Sequence, residues 1–376
     1  MEFRDLKAQY SKLKYELDYA IEEVLRNGVF IGGTPVIEFE KELSDYVGVR
    51  HCVTCANGTD AITLALKAWG IGKGDAVFVP DFTFFSTAEC PANEGAIPVF
   101  IDVDPKTYNI DPSRLESAIT YVEKNTDLVP KVVIAVDLFG QTADYKELRS
   151  ICDRHDLYLL EDGAQSFGAS YQGKRSGALG DISTTSFFPA KPLGGYGDGG
   201  AVFTDNEKWA RTIKSLAIHG KGASKYDNVS LGMNSRLDTI QAAILRVKLR
   251  AFKQFELERV NEIAKIYMGC ISGGVELPVI NSGNYCSWAQ YTIKLPRGVD
   301  RERVRESLEE VGIPTNIYYS KPLHEQKAFC DIPVIKDYCE NTKEICGRVL
   351  SLPIHPYMED HDVEVVSDEL MRAING

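Results

Sequence analysis

Lysine 191 follows Ser186-Phe187-Phe188-Pro189-Ala190 and precedes Pro192-Leu193-Gly194-Gly195-Tyr196-Gly197-Asp198-Gly199-Gly200. Apolar residues lead up to it and glycines follow, so its amine emerges where a strand passes into a loop, in surroundings poor in water. Low dielectric disfavours the ammonium form and lowers the pKa from about 10.4, which leaves a neutral nucleophile able to condense with a carbonyl. A surface lysine beside a flexible loop would not need so apolar an approach. In Leu159-Leu160-Glu161-Asp162-Gly163-Ala164-Gln165-Ser166 an acid ends an apolar run. A carboxylate there can pair with a protonated pyridine nitrogen and keep the ring electron-withdrawing, with Gln165 in reach of a ring hydroxyl. The alternative is a strand-end acid capping the next helix. Asn57-Gly58-Thr59-Asp60 opens a helical pattern through Ile62, Leu66 and Trp69. Unpaired N–H groups and the helix dipole stabilise an anion at such a start by up to roughly 2 kcal/mol. Alone, the motif reads as well as an ordinary N-cap.

The elements that must hold these groups follow from periodicity. Leu6, Tyr10, Leu13, Leu17, Ile21 and Val24 recur at steps of three and four, and Asn27-Gly28 ends that helix. Apolar runs at 75–80, 97–102, 131–138 and 157–161 alternate with helical stretches such as 112–124 and 143–155, which predicts βαβ units and a mainly parallel sheet covered on both faces. A strand, glycine-rich loop and strand follow over 181–205, then two long helical patterns to about residue 272. The remainder, with strands at 290–295 and 314–319 and a helix at 301–311, reads as a smaller α+β unit. The expected division is a large domain over 1–250 and a small C-terminal one over 251–376. In open parallel sheets ligands sit beyond the carboxyl ends of the strands, which is where all three chemical elements fall. Gly195, Gly197 and Gly200 match G-x-G-x-x-G, but they lead into a strand, whereas a dinucleotide fingerprint opens a helix.

Composition narrows the partners. A net charge of −12 argues against nucleic acid, whose phosphates demand a cationic surface. No run approaches the apolar length of a membrane span, and Met1-Glu2-Phe3-Arg4-Asp5 lacks a signal-like layout, so the expected location is the cytoplasm. Nine cysteines fit reduced thiols. Cys52 and Cys55 form a C-x-x-C within a predicted strand, where residues three apart face opposite ways; with no second pair and no H-E-x-x-H, no metal is expected.

In this order and spacing, over essentially the whole chain, the three elements resemble the DegT/DnrJ/StrS-type sugar aminotransferases of the fold-type I pyridoxal-phosphate group. Asp81-Phe82-Thr83-Phe84-Phe85-Ser86-Thr87-Ala88, Phe139-Gly140-Gln141-Thr142-Ala143-Asp144, Gly232-Met233-Asn234-Ser235-Arg236-Leu237-Asp238 and Leu352-Pro353-Ile354-His355-Pro356 share in the likeness. The runs at 186–194 and 234–238 are most similar to members that aminate 3-keto nucleotide sugars, carriers of 2-acetamido-3-keto-glucuronate included.

The resemblance implies pyridoxal 5'-phosphate bound covalently to Lys191, Asp162 on the ring nitrogen, Gln165 on the ring hydroxyl and Phe84 against the ring. Gly58, Thr59 and Ser186 would hold the phosphate, with Asn234 reaching it from the other subunit of a homodimer. Glutamate would donate the amine and a nucleotide-linked keto sugar would accept it, for polysaccharide or lipopolysaccharide synthesis. Arg236 is the implied anion contact, against the alternative of an ion pair on its own helix, while Tyr319 and His324 match a stretch lining the sugar site or serve as satisfied surface groups. A sister group of sugar dehydratases carries histidine in place of the lysine. A cysteine lyase of the same fold would need an activated thiol, and a non-catalytic regulator would need neither nucleophile nor electron-sink partner.

Overall fold

The computed structural model describes residues 1–376 except 225 and 332–338. Its centre is a seven-stranded sheet built from β1 (His51–Cys55), β2 (Asp75–Pro80), β3 (Ile97–Ile101), β4 (Val129–Val136), β5 (Tyr158–Asp162), β8 (Ile182–Ser186) and β9 (Gly200–Thr204), in the order β1-β9-β8-β5-β4-β2-β3. The pairs β2–β3, β2–β4, β4–β5 and β5–β8 are parallel, and β9 runs against both β8 and β1. Six strands therefore point one way, and their carboxyl ends share one edge of the molecule.

Alternation along the strands explains why they read as unbroken apolar runs. Val77, Val79, Val132, Ile134 and Leu160 pack on one face with α3 (Gly58–Trp69) and α7 (Glu207–Leu216). Ala76, Phe78, Val133, Ala135 and Leu159 pack on the other with α5 (Pro112–Asn125) and α6 (Tyr145–His155). Both faces are dry, so both sets of alternating residues are apolar.

α1 (Leu6–Asn27) is capped by Asp5, whose carboxylate accepts from the Ala8 N–H, and is closed by Gly28 at φ 67°. α2 (Thr34–Val47) lies between it and β1, and α4 (Ser86–Asn93) follows β2. Two long helical patterns were expected beyond residue 236; the structure makes one run of α8 (Thr239–Ala251), a π turn at Phe252–Glu256 and α9 (Leu257–Cys270). No Gly or Pro stands between Arg236 and Met268 to stop the helix, and the π turn absorbs one extra residue. The run passes residue 250 without a break, while residues from 260 to 370 build a core of their own. That core uses α9, β11 (Tyr291–Lys294) paired with β12 (Val349–Leu352), α10 (Arg301–Glu310) and α12 (Asp360–Asn375), while α11 (Glu340–Arg348) packs through Ile345 and Cys346 with Phe82 and Val103. Short strands β6 (Ser170–Tyr171), β7 (Lys174–Arg175) and β10 (Asn284–Tyr285) form a small side sheet.

Residues 314–319 are not a strand. Only Asn316 forms a bridge, to Ser351, because Pro314 lacks an amide donor and Tyr318 and Tyr319 turn into a cavity at the sheet edge.

Candidate active site

A cavity of about 610 Å3 opens at the carboxyl ends of β1, β2, β5 and β8. Lys191, Asp162, Gly58, Thr59, Phe84, Gln165, Ser186 and Tyr319 all line it. Eight residues spread over 262 positions of chain (319 − 58 + 1) thus meet at one place, where the sheet topology brings the strand ends together.

Asp162 ends β5 and is buried. Its Oδ1 accepts the Ala164 N–H at 3.2 Å, and its Oδ2 accepts the Thr87 hydroxyl at 3.2 Å, with Thr83 Oγ1 a further 3.3 Å from Thr87. Burial raises its pKa, opposed by the Ala164 N–H and by the nearby Lys191. A cationic partner in the cavity would restore its charge. The adjacent Glu161 has a different task, since Ser176, Gly177, Leu179 and Ser183 all donate to it at 2.6–2.8 Å and saturate both oxygens.

The Lys191 amine makes no hydrogen bond or ion pair among the described residues. Loss of water lowers its pKa, which Asp162 opposes and Arg4 reinforces. Desolvation of an amine facing a cavity shifts it toward the neutral, nucleophilic form. The loop behind it is held by Phe187 N–H to Gly199 O at 2.7 Å and Gly195 N–H to Phe187 O at 2.7 Å.

At the other end, Asn57 Oδ1 caps α3 by accepting the Asp60 N–H at 2.8 Å. The first N–H groups of the helix, those of Gly58 and Thr59, have no intrahelical partner. A Cβ on Gly58 would lie 2.8 Å from Ser186 Cβ, so only glycine lets α3 begin this close to the end of β8. Helix start and Ser186 hydroxyl together form an anion cradle in the same cavity as the lysine.

Gln165 Oε1 accepts the Phe139 N–H at 2.8 Å, and its Nε2 donates to the Tyr319 hydroxyl at 3.2 Å, leaving its second N–H for a ligand. The Phe84 ring is 54% exposed and 6.4 Å from that of Tyr319, so one of its faces is open to a planar guest.

Three expected residues stand elsewhere. Asn234 and Arg236 are exposed and do not line this cavity. His324 does not line it either: its Nδ1 is 2.6 Å from Asp81 Oδ2 and its backbone N–H donates to Asp81 Oδ1 at 2.8 Å. That pair ties the 318–324 segment to the loop carrying Phe84. Cys339 lies beside the pair, the three ligand atoms within 4.8 Å of one another, but the Asp81–His324 hydrogen bond already occupies the space between two of them. All nine cysteines are free, and burial pushes Cys52, Cys55, Cys90, Cys152, Cys286, Cys339 and Cys346 upward, so none of these seven offers a thiolate.

Sequence reasoning missed Thr87, Gln290, Tyr318 and Arg4. Gln290 lines the cavity with a buried Oε1 that has no partner. Arg4, 187 positions before Lys191, donates to the Lys191 carbonyl at 2.7 Å and the Pro192 carbonyl at 3.3 Å. No local pattern announces such contacts.

The cavity sets the desolvated Lys191 amine between a buried acid and an anion cradle, at the strand-end edge of a doubly covered α/β sheet. Comparison with known proteins supplies the family. The pattern described as the DegT/DnrJ/EryC1/StrS aminotransferase family matches residues 12–371, and the chain belongs to that family. It is 42% identical to the UDP-2-acetamido-2-deoxy-3-oxo-D-glucuronate aminotransferase of Pseudomonas aeruginosa, over 97% of this chain and 98% of that one. A crystal structure of a DegT DnrJ EryC1 StrS aminotransferase from Brucella abortus superposes with a TM-score of 0.97 at 44% identity, covering 100% of both chains. That of NtdA from Bacillus subtilis with bound cofactor PMP superposes with a TM-score of 0.86 at 29% identity, covering 100% of this chain and 83% of that one.

Proposed function

We propose that this enzyme transfers an amino group from an amino acid, glutamate first among candidates, to the 3-keto carbon of a nucleotide-linked sugar, using pyridoxal phosphate bound at Lys191. The observation that carries the reading is the pairing of a desolvated, unbonded lysine amine with a buried carboxylate in a cavity whose far end is a helix-start anion cradle. A phosphate suits the cradle, a planar ring suits Phe84 and Asp162, and an aldehyde suits Lys191. The cofactor in NtdA and the 3-oxo sugar in the name of the Pseudomonas relative agree with this.

Bound there, the cofactor supplies a carbonyl that takes up the amine and a ring that accepts electrons. The chain does the rest. Lys191 would hold the cofactor covalently, and its Nζ would carry the proton that the reaction moves. Asp162, whose anion the Ala164 N–H and the Thr87 hydroxyl favour against burial, would pair with a protonated ring nitrogen. Gln165 and Tyr319 present donors on one wall, and Phe84 limits the space the ring can occupy.

The sugar nucleotide is dianionic, yet the cavity wall offers Asp60, Asp162 and Asp198 and, apart from the Lys191 amine, no basic side chain among the described residues. Positive charge has to come from outside this chain's own wall. Exposed Arg236 fits that need if a second copy presents it, with Asn234 beside it as a neutral hydrogen-bond donor, which makes a homodimer with shared sites the working unit. Nine free thiols suit the cytoplasm, and among the described residues no helix is long and apolar enough to cross a membrane.

The purified protein is expected to be yellow, absorbing above roughly 400 nm, and to lose that band on addition of glutamate and recover it with a 3-keto sugar nucleotide. A colourless protein that takes up no pyridoxal phosphate refutes the proposal. A band bleached by cysteine and not by glutamate selects the lyase instead. Comparing acidic with neutral sugar nucleotides in Arg236→Ala locates the carboxylate contact: a selective loss on the acidic substrate supports a glucuronate.

A further inference from the structure

The chain before α1 reaches under the catalytic loop. Phe3 packs its ring 6.4 Å from that of Tyr318, and Arg4 places its guanidinium against the backbone of the residue that matters most. One nitrogen, Nη2, donates to the Lys191 carbonyl at 2.7 Å and to the Pro192 carbonyl at 3.3 Å. These carbonyls lie at the point where the loop leaves Ala190, and among the described residues no other side-chain donor reaches them.

We infer that Arg4 is a positioning residue for the Lys191 nucleophile: it clamps the carbonyls of Lys191 and Pro192 and sets a permanent positive charge beside the Lys191 loop. The inference rests on the reading of Lys191 as the group that binds the cofactor. A clamped backbone fixes where the amine projects, and small misplacements of a reacting group cost large factors in rate. A fixed cation nearby also opposes protonation of the amine, and Arg4 acts on Lys191 in that direction while Asp162 acts against it.

The charges around Arg4 support a standing cation. Glu256, from the π turn, and Tyr357 and Tyr318, from the loops packed above, favour its charged form, and burial alone pulls its pKa down. Guanidinium remains protonated through such shifts. Glu256 is itself engaged, accepting from Gln9 at 2.8 Å and from the Tyr357 hydroxyl at 2.6 Å. Lys248 and His355 also face this region, but burial pushes them down to about 7 and about 4, so neither supplies a dependable charge above neutrality. Arg4 is the group whose charge persists.

The test separates clamp from charge. Cofactor-free wild type, Arg4→Gln and Arg4→Lys are labelled with trace acetic anhydride over a pH series, and acetylation of the Lys191 peptide is read by mass spectrometry; kcat and KM are measured on the reconstituted proteins. Arg4→Gln is expected to raise the Lys191 labelling midpoint by at least about half a unit, about threefold less neutral amine below the midpoint. Arg4→Lys keeps the charge on a shorter stem without the planar guanidinium that holds both carbonyls, so its midpoint stays and its kcat falls at least about fivefold, with KM for both substrates within about twofold. A wild-type midpoint in Arg4→Gln, or a wild-type kcat in Arg4→Lys, overturns the inference, as does a lowered melting temperature with neither change, which would make Arg4 a structural strut. Should Arg4→Gln fail to fold, the Arg4→Lys protein decides by the same kcat criterion. Failure of the aminotransferase reading shows separately, as a wild type that binds no pyridoxal phosphate, and the labelling result does not depend on it.

Discussion

Gly58→Ala tests the anion cradle directly, because one methyl group is asked to enter the closest approach in the site. Its Cβ would stand 2.8 Å from Ser186 Cβ, 3.3 Å from Ser186 Oγ and 3.4 Å from Ser186 Cα. Carbon atoms rest at about 3.5–4.0 Å, so the overlap with Ser186 Cβ is roughly 0.7–1.2 Å, and the obstacle includes the backbone at the end of a central strand. Overpacking of this kind costs about 1–3 kcal/mol. Alanine's better helix propensity offsets about 1 kcal/mol, which leaves a net loss of about 0–2 kcal/mol. The larger effect falls on the cofactor. If α3 withdraws to relieve the overlap, the phosphate loses at least one hydrogen bond to a charged group, worth about 1.5–3 kcal/mol, or roughly a ten- to hundredfold weaker affinity. Absorbance titration of cofactor-free protein with pyridoxal phosphate measures this, alongside a thermal melt. Gly269→Ala, in α9 with nothing within 4 Å of the added carbon, is the control and should melt at or slightly above wild type. Gly58→Ala that binds pyridoxal phosphate within about twofold of wild type would refute the cradle.

Three further outcomes are expected. Lys191→Ala should fold normally, lose the yellow band and lose at least about a hundred- to ten-thousandfold in kcat from the missing proton transfer alone, measured by coupled glutamate consumption. Neither Lys191→Ala nor Asn234→Ala should be active by itself, but refolding an equal mixture should recover about a quarter of wild-type activity, since half the dimers are mixed and each then holds one intact site; no recovery would place Asn234 outside a shared site. His155 bridges α5 and α6 through Glu123 at 2.9 Å and Glu116 at 3.3 Å, and these bonds raise its pKa against the opposing effect of burial. A raised folded pKa means that its contribution is full below the unfolded value of about 6.5 and fades as pH rises through the folded one. His155→Gln should therefore lower the melting temperature more at pH about 5.5 than at pH about 9, by less than about 1 kcal/mol because the pair is partly exposed.

The residues that meet in the cavity were legible in the sequence because each sits in a local pattern with a physical meaning. Asp162 ends an apolar strand, Gly58 opens a helix after Asn57, and Lys191 separates an apolar strand end from a glycine loop. Alternating strands and helices fix which ends of those strands coincide, so the three had to meet at one edge. The helix end at Asn27-Gly28 and strand β2 at Asp75–Pro80 depend on neighbours a few residues away and were read correctly for the same reason.

What tertiary structure alone decided involves partners far apart in the chain, where no periodicity connects them. His324 was assigned to a sugar site by resemblance, yet Asp81, 243 positions earlier, claims its ring. Residues 314–319 have strand composition, but pairing is set by what lies alongside, and the cavity drew Tyr318 and Tyr319 instead. Arg4 is one charged residue before a helix until the loop of Lys191 closes over it. Short-range order is written in spacing, whereas the choice of a distant partner is made by packing, when burial forces each polar group to find a donor or acceptor.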